Sequence, residues 1–223
     1  YRIKKCKNDD IEWIVTTAME LYGKHDAVPL DIKQSWYNKN PRGFWILKDR
    51  NGNRVGSLEI LPIKKTTLQK IINGKIAEKD KKTDDILGKE HRGPIDCIYI
   101  ENIMSINSDR EPCVWGFKEI LANLDKCLES FNITPQSTHI YAMPIPAFHS
   151  KYGKRLSHSE RLLSSVGFKI IKGKTKQGYP LYEGSVSNVM KHLKPIMDKY
   201  RKGTRKKYNR VNIGEEDQGG KVN

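Results

Sequence analysis

The sequence predicts an α/β protein, and three observations lead to that class. The 223 residues are 37% hydrophobic, which is enough to build the core of one domain. From residue 95 onwards, a strand pattern (IDCIYIENIMSI), an amphipathic helix pattern (WGFKEILANLDKCL) and a second strand (STHIYAM) alternate, as is typical of α/β proteins. Earlier in the chain, FWILK and RVGSLEIL flank the pair Asn51-Gly52, which favours the tight turn of a β-hairpin.

Two helices are predicted before the hairpin. Apolar residues recur at helical spacing over 11–22, after the cap candidates Asn8, Asp9 and Asp10 and before Gly23. A second, shorter helix is predicted over 30–38. It ends before Asn40-Pro41, because a residue that precedes proline avoids the helical conformation.

The helix WGFKEILANLDKCL is predicted to run without a break over 115–128. Ser157 and Glu160 form a capping box for the next helix, which Gly167 ends. FKIIKG and YPLYEG predict a closing hairpin. Residues 63–94 form a long polar connection rich in lysine, and connections of this length are usually functional or without order. Two interpretations of residues 63–94 therefore remain open: a lid over the substrate, and a solvated decoration, that is, a solvent-exposed segment without a function in the site.

The net charge of +15 favours acidic partners such as cofactor phosphates or nucleic acid. Part of this charge lies in a basic tail, residues 184–223, which we expect to be partly helical or disordered. The tail and the basic surface are candidates for contact with tRNA or DNA. Such a charge disfavours a lysine-rich acceptor.

The remaining composition excludes several classes of protein. The four cysteines lack C-x-x-C spacing, so we expect free thiols in a reducing cytoplasm. The six histidines show no ligand spacing, and we expect no metal site. No run of about 18 apolar residues is present to span a membrane. The predicted location is cytoplasmic, as a monomer or homodimer.

The order of elements over residues 1–183, together with the strand IYIENIMSI and the helix ending SSVGF, resembles the GNAT acyltransferases. The resemblance implies a mixed central sheet flanked by helices on both faces. It makes residues 63–94 an insertion between the third and fourth strands. It also implies acetyl-CoA, or another acyl-CoA, as the donor substrate.

The resemblance places donor binding at the end of the fourth strand and the loop after it. Backbone groups of Met104, Ser105 and Ile106 would pair with the pantetheine arm, as a peptide adds to a strand edge. The pyrophosphate would lie on the start of the following helix. That loop would contribute these residues: Arg110, Cys113, Val114, Trp115 and Gly116. Cysteine and tryptophan, at 113 and 115, stand where the family has small residues, and a proline precedes them at 112.

Glu101 is the candidate general base, because a glutamate on this strand removes the amine proton in several family members. We expect burial to raise its pKa. Asn102 is expected on the opposite face of the strand, since side chains alternate. Leu163 occupies the position of the tyrosine that usually protonates the thiolate, which leaves Tyr99, Tyr141 and Tyr152 as substitutes.

Two functions follow. The first is an N-acyltransferase that moves an acyl group from acyl-CoA to a primary amine. The alternative is a catalytically degenerate module of the same fold that binds nucleic acid or another acidic partner. The absent loop glycines, Leu163 and Trp115 favour the alternative; the order of elements favours the enzyme.

Overall fold

A single mixed sheet organises the chain. The computed structural model describes residues 1–107, 109, 113–144 and 158–214, except for the side chains of 158 and 202–214. Within these residues the strands are β1 (Arg2–Lys5), β2 (Phe44–Lys48), β3 (Arg54–Pro62), β4 (Cys97–Ser105), β5 (His139–Ala142), β6 (Lys169–Lys172) and β7 (Leu181–Ser185). They lie in the order β1-β2-β3-β4-β5-β7-β6. β4 and β5 are parallel, and the other neighbours are antiparallel.

Helices cover both faces of the sheet. They are α1 (Asn8–Tyr22), α2 (Leu30–Lys39), α3 (Lys65–Ile72), α4 (Val114–Ala122), α5 (Leu124–Leu128), α6 (His158–Ser165) and α7 (Val186–Gly214). One apolar core lies under α4 to α7 and contains Leu58, Ile98, Ile120, Leu124 and Leu193. The other lies under α1 to α3 and contains Ile11, Trp36, Leu68, Tyr99 and Leu181. The predicted fold class is therefore confirmed.

The hairpin and the first two helices lie where the sequence predicts them. Gly52 has a φ of +86°, a conformation that glycine adopts without strain, at the turn between β2 and β3. At the start of α1 the Asp10 carboxylate accepts a hydrogen bond from the Lys7 amide at 2.8 Å. The predicted capping residue Ser157 lies outside the described residues.

The helix predicted over 115–128 is broken at Asn123, so that prediction was wrong. The Asn123 side chain donates to the Glu119 carbonyl at 2.8 Å and to the Glu119 carboxylate at 3.0 Å. A short amide side chain that bonds the backbone in this way competes with the helical ladder. α4 consequently ends at Ala122, and α5 begins at Leu124.

α7 continues past Pro195, a residue type that usually kinks or ends a helix. Its buried residues Val186, Val189, Leu193 and Met197 keep helical spacing on both sides of the proline. Their packing on the sheet offsets the hydrogen bond that proline removes. Beyond them, Arg201 binds the Asp125 carboxylate at 2.9 Å.

The insertion between β3 and β4 is part of the core under α1 to α3. Leu68 and Ile71 of α3 and the later Ile86 are at most 3% exposed. After α3 the insertion forms two short 3-10 turns, Glu78–Asp80 and Thr83–Asp85. A solvated decoration is thereby ruled out, and the insertion carries side chains to the sheet.

Helix α4 lies so close to β4 that a residue larger than glycine does not fit at 116. A Cβ at Gly116 would lie 2.0 Å from Ser105 Oγ and 3.0 Å from Leu47 Cδ2. Gly116→Ala is expected to lower the free energy of unfolding by about 1–3 kcal/mol, because the helix must shift. Urea unfolding measures the change.

Two further variants test the cause of this loss. Ser105→Ala removes the nearest atom, so the double variant Ser105→Ala/Gly116→Ala is expected to lose less than the two single variants together. Gly173→Ala is the control, since its Cβ would meet nothing within 4 Å. An unchanged stability in Gly116→Ala would contradict the close packing.

Candidate active site

β4 leaves β5 halfway along its length. The parallel pairing runs from Cys97↔His139 to Ile100↔Ala142, whereas β4 itself continues to Ser105. From Glu101 to Ser105, the edge of β4 that faces away from β3 pairs with no described strand. We call this stretch the open edge.

The backbone groups of the open edge can be assigned from its pairing with β3. The Ile106 amide donates to the Val55 carbonyl at 2.8 Å, so it is engaged within the sheet. Since successive residues of an antiparallel strand direct their backbone groups to opposite sides, the Met104 amide also faces β3. The amides of Ile103 and Ser105 face the open edge.

Among the three residues predicted to pair with pantetheine, Ser105 therefore offers an outward amide. Its carbonyl already accepts a hydrogen bond from the Cys113 amide at 2.8 Å, which joins the end of β4 to the start of α4. The Ser105 hydroxyl donates to the Val55 carbonyl at 3.2 Å. Met104 and Ile106 are buried and contribute to the core side of the strand.

The first turn of α4 lies directly after this junction. Burial alone would raise the pKa of the Cys113 thiol, but the amides of Gly116 and Trp115 and the Tyr1 hydroxyl lower it below its usual value. Val114 is 65% exposed and Trp115 is 62% exposed, with the Lys118 ammonium 4.6 Å from the indole. Trp115 thus extends into solvent. Arg110 lies outside the described residues.

A β-bulge places the candidate base. Glu59 pairs with Asn102 and Ile60 pairs with Ile100, so Glu101 has no partner across the ladder. An extra residue interrupts the alternation of side chains and redirects them. Glu101 and Asn102 consequently line the same cavity, and the expectation that they face opposite sides was wrong.

Glu101 is held by two lysines. Its carboxylate lies 2.8 Å from the Lys81 ammonium and 3.6 Å from the Lys33 ammonium, and Lys33 also binds Glu59 at 2.5 Å. All four side chains are at most 6% exposed. Asn102 completes this ion network, donating to the Glu59 carboxylate at 2.9 Å.

The ion network fixes the charge of its members. Burial alone would raise the pKa of Glu101, but Lys81 and Lys33 outweigh it and lower the pKa below its usual value. Burial likewise opposes the charge of Lys33, whose pKa Glu59 and Glu101 nevertheless raise. The expected upward shift for Glu101 is therefore wrong, and Glu101 is an anion at neutral pH.

A cavity of about 60 Å³ opens beside the ion network, where β4 parts from β5. It is large enough for several water molecules. Six segments contribute to its wall: α1 with the loop after it, α2, the insertion, β4, the segment after β5, and the connection between β6 and β7. The polar residues that line it are Tyr22, Asp26, Lys33, Glu78, Lys79, Glu101, Asn102, Gln177 and Tyr179.

Glu78 differs from Glu101 in its ionisation. Burial raises the pKa of Glu78 to about 8, with the charge of Lys81 opposing the rise and the charge of Glu101 adding to it. The Tyr99 hydroxyl lies beside this carboxylate, and the pKa of Tyr99 is raised by burial and by Glu78. At neutral pH the cavity thus holds a protonated carboxyl close to an ionised one.

Sequence reasoning missed most of these groups. Glu59, in the apolar strand RVGSLEIL, and Lys33, one turn before Trp36, both carry a signal, because an isolated charge on a buried face needs a partner. Glu78 and Lys81 carry no such signal, since they lie in an entirely polar stretch of the insertion, residues 78–85. Only the tertiary structure brings them to β4.

None of the tyrosines considered as acid is assigned that role by the geometry. Tyr141 donates to the Glu183 carboxylate at 2.6 Å, and Tyr99 is fully buried in the wall behind Glu78. Leu163 packs against the core under α4 to α7. Tyr152 lies outside the described residues.

The described residues also bear on metal, thiol and membrane sites. No group of three His, Cys, Asp or Glu side chains in that part of the chain is placed to hold a metal ion. All four cysteines are free thiols, and Cys113 is the most accessible. No described helix is both long and apolar enough to cross a membrane.

Comparison of the sequence finds no matching family model and no match among curated proteins. Comparison of the structure finds the loading GNATL domain of CurA from Lyngbya majuscula, with a TM-score of 0.60 and 12% identity. The match covers 83% of this chain and 97% of that domain. A second match is the GphF GNAT-like decarboxylase in complex with isobutyryl-CoA, with a TM-score of 0.59 and 11% identity. This match covers 83% of this chain and 100% of that chain. The chain thus has the GNAT fold, as its sequence predicted.

The ion network generates a prediction about stability. Lys33→Met leaves the Glu59 and Glu101 carboxylates facing each other in a buried site. Loss of one partner of a buried pair costs about 3–5 kcal/mol, and urea unfolding at pH 7 measures it. Lys39→Met is the control, because that lysine pairs with an exposed glutamate and should lose about 1 kcal/mol or less.

The pH dependence of the same loss follows from the lowered pKa of Glu101. Because the pKa of Glu101 is lower in the folded chain than in the unfolded chain (about 4.3), the ionised carboxylate stabilises the fold at pH values above about 4.3. This stabilisation is lost as the pH falls through the pKa of the folded chain. The difference between wild type and Lys33→Met should therefore shrink below about pH 4. Equal losses for Lys33→Met and Lys39→Met would contradict the ion network.

Proposed function

We propose that the chain is an acyl-CoA-dependent N-acyltransferase, which transfers an acetyl or related acyl group to a primary amine. The observation that carries this proposal is the open edge of β4, from Glu101 to Ser105, beside a polar cavity. An extended chain that contains amides pairs with free backbone groups of a strand, as peptides do. The pantetheine arm of CoA is such a chain.

The donor fits the residues present without a glycine-rich loop. The outward amides of Ile103 and Ser105 are available to pantetheine, and the start of α4 presents a positive helix end to phosphate. Trp115 extends into solvent and leaves this region accessible. The GphF neighbour is bound to isobutyryl-CoA, which supports an acyl-CoA in this fold. When bound, the donor supplies an activated acyl group as a thioester.

The acceptor fits the cavity. Lys33 and Lys81 are balanced by Glu59 and Glu101, so the ion network carries no net charge. Beyond the network, the wall holds the carboxyl of Asp26, the ammonium of Lys79 and Glu78, whose raised pKa keeps it largely protonated at neutral pH. A primary amine that enters in its neutral form therefore suits the cavity. Amides at the open edge are placed to stabilise negative charge that develops on a carbonyl oxygen there.

The alternative is a binding module that contacts nucleic acid through the basic surface and tail. The exposed position of Trp115 favours the enzyme, because the tryptophan does not fill the open edge. The fold itself does not choose a reaction, since one neighbour is a decarboxylase. The donor panel must accordingly include a carboxylated acyl-CoA.

Acyl-CoA is expected to stabilise the folded protein. At about one hundred times its dissociation constant a ligand adds about 2.7 kcal/mol, which raises the Tm of a chain of this size by roughly 5–10 °C. Acetyl-, isobutyryl- and malonyl-CoA are tested by differential scanning fluorimetry. ADP, which lacks the pantetheine arm, is the control and should shift the Tm much less.

No shift with any of these donors at millimolar concentration would contradict the proposal. Binding of tRNA or duplex DNA that weakens steeply with salt would then favour the binding module. A shift confined to malonyl-CoA, with release of CO₂, would assign the chain to a decarboxylase rather than an N-acyltransferase.

The charge at the start of α4 gives a second test of donor binding. Trp115 is exposed, so Trp115→Glu and Trp115→Gln should fold alike and differ in charge. A carboxylate beside the expected pyrophosphate should raise the Kd for acetyl-CoA about three- to tenfold over the glutamine variant, as a charge at a helix end is worth about 1 kcal/mol. Calorimetric titration measures both Kd values at low salt. Identical values would place the phosphates elsewhere.

A further inference from the structure

The insertion between β3 and β4 delivers a second carboxyl to the cavity and fixes its backbone. The Glu78 amide donates to Gln177 Oε1 at 2.6 Å, and the Glu78 carbonyl accepts from Lys81 Nζ at 2.7 Å. The turn that carries it is closed by Asp80, whose carboxylate accepts from the Ala77 amide at 3.0 Å. Glu78 is thus held in place on the wall of the cavity.

The charged and titratable groups around Glu78 come from α2, from β4 and from the insertion itself. α2 contributes Lys33, and β4 contributes Glu101 and the Tyr99 hydroxyl. The insertion itself contributes Lys81 and Lys79. The other ionisable residues on the cavity wall are Asp26, which follows α1, and Tyr22 and Tyr179.

These groups have separate tasks. Lys33 and Lys81 form ion pairs with Glu59 and Glu101, and these two lysines neutralise the two carboxylates. Glu78 is an additional carboxyl outside these ion pairs. Asp26 accepts the Tyr179 hydroxyl at 3.2 Å. Glu101 stays ionised between its two lysines and is a poor proton acceptor, since protonation would leave their charges uncompensated.

We propose that Glu78, supplied by the insertion, is the catalytic residue that accepts the proton of the acceptor amine. This inference rests on the proposed function and names the proton acceptor within it. Glu101 is then a positioning residue that, through Lys81, holds the insertion and Glu78 against β4.

Acyl transfer moves one proton from the amine nitrogen to the departing thiolate. The amine nitrogen forms a bond to the acyl carbon, the bond between that carbon and sulfur breaks, and the CoA thiolate leaves with the electron pair. The proton released by nitrogen passes to the Glu78 carboxylate, directly or through a water in the cavity. The protonated Glu78 then gives its proton to the thiolate or to solvent. A group whose pKa lies near the working pH serves both transfers.

The acceptor class follows from the same cavity. The cavity of about 60 Å³ opens to solvent and takes the amino end of the acceptor. The rest of the acceptor lies outside it, so the cavity selects for a primary amino group rather than for the shape of the molecule that carries it. The acceptor binds beside Glu101 as the neutral amine and on attack loses one proton to the ionised form of Glu78, whose pKa is about 8.

The ionisation of Glu78 is testable without any substrate. A carboxyl with a raised folded pKa keeps its proton while the unfolded chain loses it, so stability falls as the pH rises from about 4.3 towards 8. Glu78→Gln lacks this decline. We expect the Tm of Glu78→Gln minus the Tm of wild type to increase steadily from pH 5 to pH 8.

Asp84→Asn is the matched control, because Asp84 is an exposed carboxyl in the same insertion. Its Tm should run parallel to that of wild type across the pH range. If the curves of Glu78→Gln and wild type also ran parallel, Glu78 would be ionised throughout and its role as a proton acceptor near neutral pH would be overturned.

Turnover tests the catalytic role. CoA release from the donor that binds is measured with n-propylamine, 1,4-diaminobutane and glycinamide as acceptors, from pH 6 to pH 9. Glu78→Gln should lower kcat/KM about 10²–10⁴-fold, with an unchanged donor Kd. The ratio of wild-type to variant kcat/KM should rise with pH and level off near pH 8, because ionisation of the amine cancels in the ratio.

The failures of the two proposals are distinguishable. Equal turnover and equal pH profiles in wild type and Glu78→Gln would overturn the role of Glu78 and leave the N-acyltransferase intact. Absence of turnover with every donor and acceptor would overturn the proposed function, and with it this role.

Discussion

The buried pairing of Glu101 with Lys33 and Lys81 is the interaction on which the site depends. Each ion alone would cost several kcal/mol to bury, so the partners must remain in contact for the fold to persist. Lys33 comes from α2, Glu59 from β3, Glu101 from β4 and Lys81 from the insertion, so the ion network ties four segments together. The indole of Trp36 packs under both ammonium groups, at 5.3 Å and 5.1 Å from its ring centroid.

The bulge at Glu101 allows this pairing. In a regular strand Glu101 and Asn102 would face opposite sides of the sheet, and one of them would enter the other core. The extra residue turns both towards the cavity, where Asn102 binds Glu59 and Glu101 binds the lysines. The same bulge lies where β5 ends, so the change in side-chain direction coincides with the start of the open edge.

Local pattern was sufficient to predict the order of elements, the hairpin at Gly52 and the fold class. It failed where a side chain overrides periodicity: Asn123 breaks a helix that its neighbours favour, and α7 continues through Pro195 because four buried residues support it. The candidate site could be predicted only in part. Glu101 and the end of β4 were singled out from the apolar strand and the family resemblance, and their roles stay predictions, whereas Glu78 and Lys81 lie in an insertion whose path over the sheet no local pattern reveals.

If the site is divided as proposed, glycines are not required in the loop after β4. On the proposed donor side, binding relies on backbone amides and a helix end, which depend on strand geometry more than on side-chain identity. The glycine that the helix retains, Gly116, serves a different purpose, since it packs against Ser105 and brings α4 onto β4. On the proposed acceptor side, recognition would rely on side chains, and these come from an insertion, two helices, a strand and the connection between β6 and β7. Substitutions in the loop after β4 can therefore accumulate without loss of the fold. An insertion between β3 and β4, in contrast, changes which side chains line the acceptor side.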